Sequence, residues 1–242
     1  MSNIYQKIIS AHKKRQRQLA VLIDPDKFNP KLITLANQCN VHYFFVGGSE
    51  LTNGNIEKTI SVIKKLSKIP VIIFPGDEKQ LSAKADAVLF LSLLSGRNPD
   101  YLIGKQVLAA PFIKQKKLEC ISTAYILVDG NKKSATQKVT NTKPLTDTKT
   151  IINTSIAAEL LGFKTVYLEA GSGAKKNINT SLIKKVKQNI NIPLLVGGGI
   201  DNASKAQQVI NAGADILVIG NALEKNSMLL KELSLLFKKT VE

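Results

Sequence analysis

Three glycine-rich segments crowd the last third of the chain: Glu169-Ala170-Gly171-Ser172-Gly173, Gly197-Gly198-Gly199 and Gly220-Asn221. Glycine lets the backbone approach an anion closely, and a helix that follows aims its first N–H groups at it. Each segment could equally be a tight turn. Three in succession, each closing an apolar β-branched run, point to a phosphate site. A fourth segment, Asp24-Pro25-Asp26, ends the first such run. A hard cation such as Mg²⁺ takes one or two carboxylates together with substrate oxygens and water. Asp24 is a candidate ligand, with the Ser49 hydroxyl beside it; Asp26 reads as a ligand or a helix cap. Glu169 is a candidate proton acceptor for a bound hydroxyl, or else a salt-bridge partner for a lysine.

These residues need a scaffold that brings strand ends together. Short apolar runs recur at Leu19–Asp24, Tyr43–Ser49, Val71–Gly76, Ala87–Leu94, Tyr125–Gly130, Val166–Gly171, Pro193–Gly199 and Ile216–Asn221. Strands without polar alternation are buried on both faces, as in parallel sheets. Helical spacing of apolar residues marks Ile56–Leu66, Thr154–Leu161, Leu182–Ile190 and Ala203–Ala212, with Ser181 and Asn202 as caps, Gly162 and Gly213 at the carboxyl ends, and Ala222–Phe237 as the last helix. Eight such units in 242 residues predict one α/β domain, a TIM (β/α)₈ barrel over residues 1–242. A doubly wound open sheet is the alternative. Phosphate loops after strands six to eight suit the barrel. Two places break the rhythm. Only ten residues, Asp77 to Asp86, separate the third and fourth runs, so the third crossover should be short and largely non-helical. The polar stretch Asn131–Thr150 follows the fifth strand and reads as a long functional or mobile loop.

Composition narrows the function. His12 and His42 are the only histidines, and Cys39 and Cys120 the only cysteines, far apart. Neither a zinc site nor a disulfide framework is expected. The net charge of +16 invites a nucleic-acid or membrane-surface reading. Yet only Arg15, Arg17 and Arg97 of the 34 basic residues are arginine, and the lysines are scattered. A solvated surface that attracts anionic substrates fits better than a nucleic-acid face. With no membrane-length apolar run and no apolar leader at Met1–Arg17, the chain is expected in the cytoplasm.

The segments Leu22-Ile23-Asp24-Pro25-Asp26-Lys27, Phe45-Val46-Gly47-Gly48-Ser49, Tyr167-Leu168-Glu169-Ala170-Gly171-Ser172-Gly173, Val196-Gly197-Gly198-Gly199-Ile200 and Ala212-Gly213-Ala214-Asp215 together resemble the geranylgeranylglyceryl phosphate synthase family, which includes the PcrB-type prenylglyceryl phosphate synthases. The resemblance covers nearly the whole chain, and the Tyr167–Gly173 run is its most specific part. It implies a Mg²⁺-dependent transfer of a polyprenyl group from its diphosphate to the 3-hydroxyl of sn-glycerol 1-phosphate, with a barrel whose third helix is replaced by a non-helical segment. It further implies that Asp24 and Ser49 hold Mg²⁺. Tyr167, Leu168, Glu169, Ala170, Gly171, Ser172, Gly197, Gly198, Gly220 and Asn221 would bind glycerol phosphate, with Glu169 as the base. Lipid substrates imply at most transient contact with a membrane surface, and apolar helix faces imply a homo-oligomer. Asp201 stands where the resemblance leads one to expect a basic residue, and Asn131 and Lys132 replace a more glycine-rich stretch. The same site could serve another phosphate-binding barrel enzyme, such as a sugar-phosphate isomerase or lyase. On this reading, Gly198→Val should weaken glycerol phosphate binding with little change in melting temperature.

Overall fold

Eight parallel strands pair in sequential order and the first pairs with the last, so the sheet closes into a barrel. They are β1 (Gln18–Ile23), β2 (Tyr43–Val46), β3 (Val71–Ile73), β4 (Ala87–Leu93), β5 (Glu119–Leu127), β6 (Thr165–Glu169), β7 (Leu194–Gly197) and β8 (Ile216–Ile219). The computed structural model describes residues 3–237. Closure rules out the open-sheet alternative. The helices are α1 (Ile4–Lys13), α2 (Pro30–Ala36), α3 (Ile56–Leu66), α4 (Lys105–Lys116), α5 (Ala135–Thr140), α6 (Thr148–Leu160), α7 (Thr180–Asn189), α8 (Ala203–Asn211), α9 (Asn221–Lys225) and α10 (Leu229–Leu235).

Side chains alternate across each strand, and this alternation makes two cores. Val21, Phe44, Ile73, Leu168, Val196 and Leu217 pack outward under the helices. Ala20, Phe45, Ile72, Tyr125, Tyr167, Leu195 and Val218 fill the barrel interior. The pleat therefore decides which residues of Tyr167–Ala170 can meet a substrate: Tyr167 and Glu169 face inward, whereas Leu168 and Ala170 are buried in the outer layer.

No helix covers the strands between β3 and β4, as the short crossover predicts. Side chains pin that segment instead. Gln80 Oε1 accepts from Gly48 N and Gly76 N, Ser82 donates to Glu57, and Asp86 accepts from Val71 N at 2.8 Å. Other expectations need correction. The cap of α7 is Asn179, which accepts from Ser181 N, not Ser181 itself. Asn202 does cap α8. The 131–150 stretch is not a structureless loop. It holds α5, opened by a capping box between Ser134 and Gln137, and Leu145 bridges to Val128. The sixth helix begins at Thr148 on the Asp147 cap, six residues before the expected Thr154. The last helix is split, because the Asn226 side chain accepts from Met228 N and turns the chain between α9 and α10.

The basic N-terminal segment hides a helix. Ile4, Ile8 and Ala11 of α1 are buried, with Ile4 and Ile8 among the interior side chains. The Glu119 carboxylate on β5 takes the Ile4 and Tyr5 amides at 2.7 Å each. At the other end, Asp215 meets Arg17 Nη1 at 2.9 Å, Lys187 Nζ at 2.6 Å and His12 Nδ1 at 3.2 Å, and accepts from Leu194 N. Burial pushes the Asp215 carboxyl up, but the bonds to His12 and Lys187 and the Lys187 charge outweigh it and hold it below the usual range. A depressed carboxyl contributes stability above its unfolded value and loses it as pH falls through the folded one. Asp215→Asn is therefore expected to cost about 3 kcal/mol at neutral pH. Denaturant unfolding should show the gap between the two proteins closing as pH falls below the ordinary aspartate range.

Candidate active site

A polar cleft opens at the carboxyl ends of the strands. Asp24, Lys27, Ser49, Tyr167, Glu169, Gly171, Ser172, Gly198, Gly220 and Asn221 line it. Leu168, Ala170 and Gly197 do not; Ala170 N is bonded to Gly197 O, a strand-to-strand link. The three glycine segments do meet. Ser172 Oγ donates to Asn221 Oδ1 at 2.9 Å, which ties the loop after β6 to the start of α9. Gly198 sits at φ +84°, and a Cβ there would stand 2.5 Å from Glu169 Oε1, 2.8 Å from Ala170 N and 2.9 Å from Gly171 N. This corrects the expectation for Gly198→Val. The added side chain strikes Glu169 and two backbone amides in a conformation that favours glycine, so the melting temperature should fall together with affinity, by the equivalent of about 1–3 kcal/mol. Calorimetry on the ligand-free variant measures that loss.

Glu169 lies at the centre. It is 7% exposed, accepts the Tyr167 hydroxyl on Oε2 and the Gly171 amide on Oε1 at 2.7 Å. Burial raises its pKa, and those two bonds only partly offset the effect. Burial also holds the Tyr167 and Tyr125 hydroxyls well above the usual tyrosine value, so both stay protonated. Among the described residues no lysine or arginine lies within ion-pair distance of Glu169, so the salt-bridge reading of Glu169 has no support. The Tyr125 and Tyr167 rings, paired across β5 and β6, meet edge to face at 5.3 Å.

On the opposite side, Asp24 Oδ1 caps the turn after β1 by accepting from Asp26 N at 3.0 Å. Its second oxygen lies 3.3 Å from Lys27 Nζ, which also reaches Glu224. Asp26 caps no helix and does not line the cleft. It accepts from the Thr52 hydroxyl and amide, from Asn53 N and from Gly54 N, bonds that hold its carboxyl far below the usual range. Asp26 thereby clamps the loop that carries Ser49. The Ser49 hydroxyl is 3.0 Å from Thr136 Oγ1 of α5. Among the described residues no cluster of three or more His, Cys, Asp or Glu side chains could enclose a metal ion. A half-buried carboxylate whose outer oxygen is shared with Lys27, together with one hydroxyl, cannot enclose an ion but suits a cation held largely by substrate oxygens and water.

A second cavity, mostly apolar, runs beneath the non-helical crossover. Phe74, Leu81, Val88, Phe90 and Ala109 line it. It shares Gly48, Ser49, Phe74, Tyr125 and Thr136 with the polar cleft. Tyr125 and Thr136 are missing from the residues expected from sequence. Tyr125 could have been found from its register with Tyr167; nothing in the sequence marks Thr136. Asp201 also lines the cleft and is paired with Lys205 at 2.9 Å, one helical turn on.

The PcrB family pattern matches residues 12–236. The chain belongs to this family. Within it, the geranylgeranylglyceryl phosphate synthase of Flavobacterium johnsoniae is 47% identical over 233 residues, covering 94% of this chain and 96% of the relative. That of Chitinophaga pinensis is 45% identical, covering 96% and 95%. A crystal structure of (S)-3-O-geranylgeranylglyceryl phosphate synthase from Thermoplasma acidophilum, in complex with its substrate sn-glycerol-1-phosphate, superimposes with a TM-score of 0.91 at 31% identity, covering 98% of this chain and 99% of that one. A thiamine phosphate pyrophosphorylase from Pyrococcus furiosus, at 13% identity and a TM-score of 0.60, shares the fold alone.

Proposed function

We propose that this PcrB-family chain joins sn-glycerol 1-phosphate to a polyprenyl diphosphate, geranylgeranyl diphosphate by analogy with its relatives, and releases diphosphate. One observation carries the reading: a polar, glycine-lined cleft and an apolar groove share a wall at Ser49, Phe74, Tyr125 and Thr136. An anionic triol derivative fits the first cavity and an isoprenoid tail the second. The relatives named above support the same reading. An isomerase or lyase acting on one polar substrate would leave the apolar groove without a use.

The residues divide the work as follows. Gly171, Ser172, Gly198, Gly220 and Asn221 cradle the phosphate of glycerol phosphate. Glu169, raised by burial, takes the proton of the attacking hydroxyl. That oxygen forms a bond to the first carbon of the prenyl chain as the bond from that carbon to the diphosphate oxygen breaks. Tyr167 holds Glu169 in place by donating to it, and Tyr125 shields the same point from water. Asp24 and Ser49 would hold Mg²⁺ against the diphosphate, where the ion would neutralise charge growing on the leaving group. Fixed geometry matters as much as charge, because a positioned nucleophile avoids the entropy of encounter. Among the described residues no helix is long and apolar enough to cross a membrane. The basic surface supports transient contact with an anionic bilayer, where the tail would arrive and the product leave. Exposed Ile103, Val107 and Leu108, on the outer side of the segment around α4, support self-association. Incubation with Mg²⁺, labelled glycerol 1-phosphate and geranylgeranyl diphosphate should give an organic-extractable labelled product. A label that stays in the aqueous phase with every prenyl diphosphate offered would refute the assignment.

A further inference from the structure

The apolar groove contains a feature its apolar lining does not need. Lys105, the first residue of α4, places Nζ 2.8 Å from Glu78 Oε2 on the crossover after β3, and both residues line the groove. The two side chains are only 32% and 20% exposed, and Glu78 Oε2 itself is sealed from solvent. Each holds the other in its charged form: the nearby Lys105 ammonium lowers the Glu78 carboxyl, and Glu78 raises the Lys105 ammonium. Asp77 and Lys79 are the charged neighbours in the chain. Covering an ion pair beside an apolar channel costs desolvation that two apolar side chains would avoid, so the pair is a poor device for stability. Its place is telling. In a barrel the helices run back from the carboxyl ends of the strands, so Ala109 lies one turn below Lys105 on α4. Val88 lies near the amino end of β4, and Leu81 follows Glu78 along the crossover. The groove thus continues beyond the pair, between Leu81, Val88 and Ala109.

We propose that the Glu78–Lys105 ion pair is a crossbar that discriminates isoprenoid tails by length. A tail that ends above the crossbar leaves the pair intact. A longer one must part the two side chains to reach Leu81, Val88 and Ala109. The proposal rests on the groove being the path of the prenyl tail. Glu78→Gln, Lys105→Met and the exchanged protein Glu78→Lys with Lys105→Glu are to be assayed with prenyl diphosphates that lengthen by one isoprene unit. Each single variant should raise kcat/KM for the long members relative to the short by about tenfold, the lower end of what a hydrophobic pocket discriminates. KM for glycerol phosphate should not move, and the exchanged pair should restore the wild-type ratio. An unchanged ratio in both single variants, whatever their melting temperatures, would overturn the crossbar. So would an exchanged protein that still behaves like the singles. Wild type inert toward every member would instead refute the prenyl reading beneath it, so the two failures are distinct.

Discussion

Glu169→Gln should lower kcat by about 10²–10⁴-fold, the usual contribution of a positioned base, while KM for glycerol phosphate stays close to wild type. The amide keeps the shape, and its oxygen can still accept from Gly171 N. The amide nitrogen can donate to the Tyr167 oxygen, which keeps that contact, while the Tyr167 proton gives up the acceptor it has in the wild type. A second readout separates the base from a structural residue. Burial raises the folded pKa of Glu169, so the native protein binds that proton more tightly than the unfolded chain. Whatever stability the group contributes is present below the ordinary glutamate value and is lost as pH rises through the folded value. At neutral pH the buried carboxylate is a cost, and Glu169→Gln should melt no lower than wild type. The wild-type rate should also fall on the acid side at a pH above the ordinary glutamate range. A kcat within about threefold of wild type, below the range for base catalysis, would transfer the proton to another group.

The second large effect belongs to Asp24. Asp24→Asn retains an oxygen to accept from Asp26 N, so the turn after β1 should survive and the melting temperature should hold. It removes the negative charge that Asp24 would offer a cation, while Glu224 beside Lys27 stays in place. Activity with saturating Mg²⁺ should drop by about 10²–10³-fold, comparable to removing a main stabiliser of transition-state charge. Wild-type turnover should vanish in chelator and return with Mg²⁺. Full turnover in chelator would remove the ion from the proposal. An equal loss in Lys27→Met, with Asp24 left in place, would assign the effect to the lysine that bridges Asp24 and Glu224.

The barrel was legible because parallel strands buried on both faces have an unmistakable composition. The eight apolar runs each contain or overlap a strand, and the ten residues between Gly76 and Ala87 announce the missing helix. Glycines mark strand ends well, since the backbone conformations they permit are visible in the residue type. Side-chain direction is less visible. Leu168 and Ala170 share a motif with Tyr167 and Glu169, but the pleat turns them toward the helices. Long-range polar partners were hidden altogether. Asp26 looks like a helix cap until Thr52, Asn53 and Gly54 are placed on it. Glu119 and Asp215 look like ordinary surface carboxylates until α1 is docked. Polar stretches mislead in the same way: Ser134 and Gln137 spell out a helix start within 131–150, yet the surrounding Lys, Thr and Asn read as loop. Thr136, which joins the two cavities, has no local signature because its role depends on Ser49 and Tyr125.

The clasp on α1 also orders events in time. Its amino end is held by Glu119 and its carboxyl end by Asp215, more than a hundred residues further along the chain. Glu119 opens β5 and Asp215 lies just ahead of β8, whose pairing with β1 closes the barrel. Contacts of such sequence separation form late, because the loop entropy must be overcome first. The first helix of the chain is thus expected to dock late, like a stopper pressed home after the vessel is shaped. Until then Ile4 and Ile8 stay wet, and the floor beneath the catalytic cleft stays open.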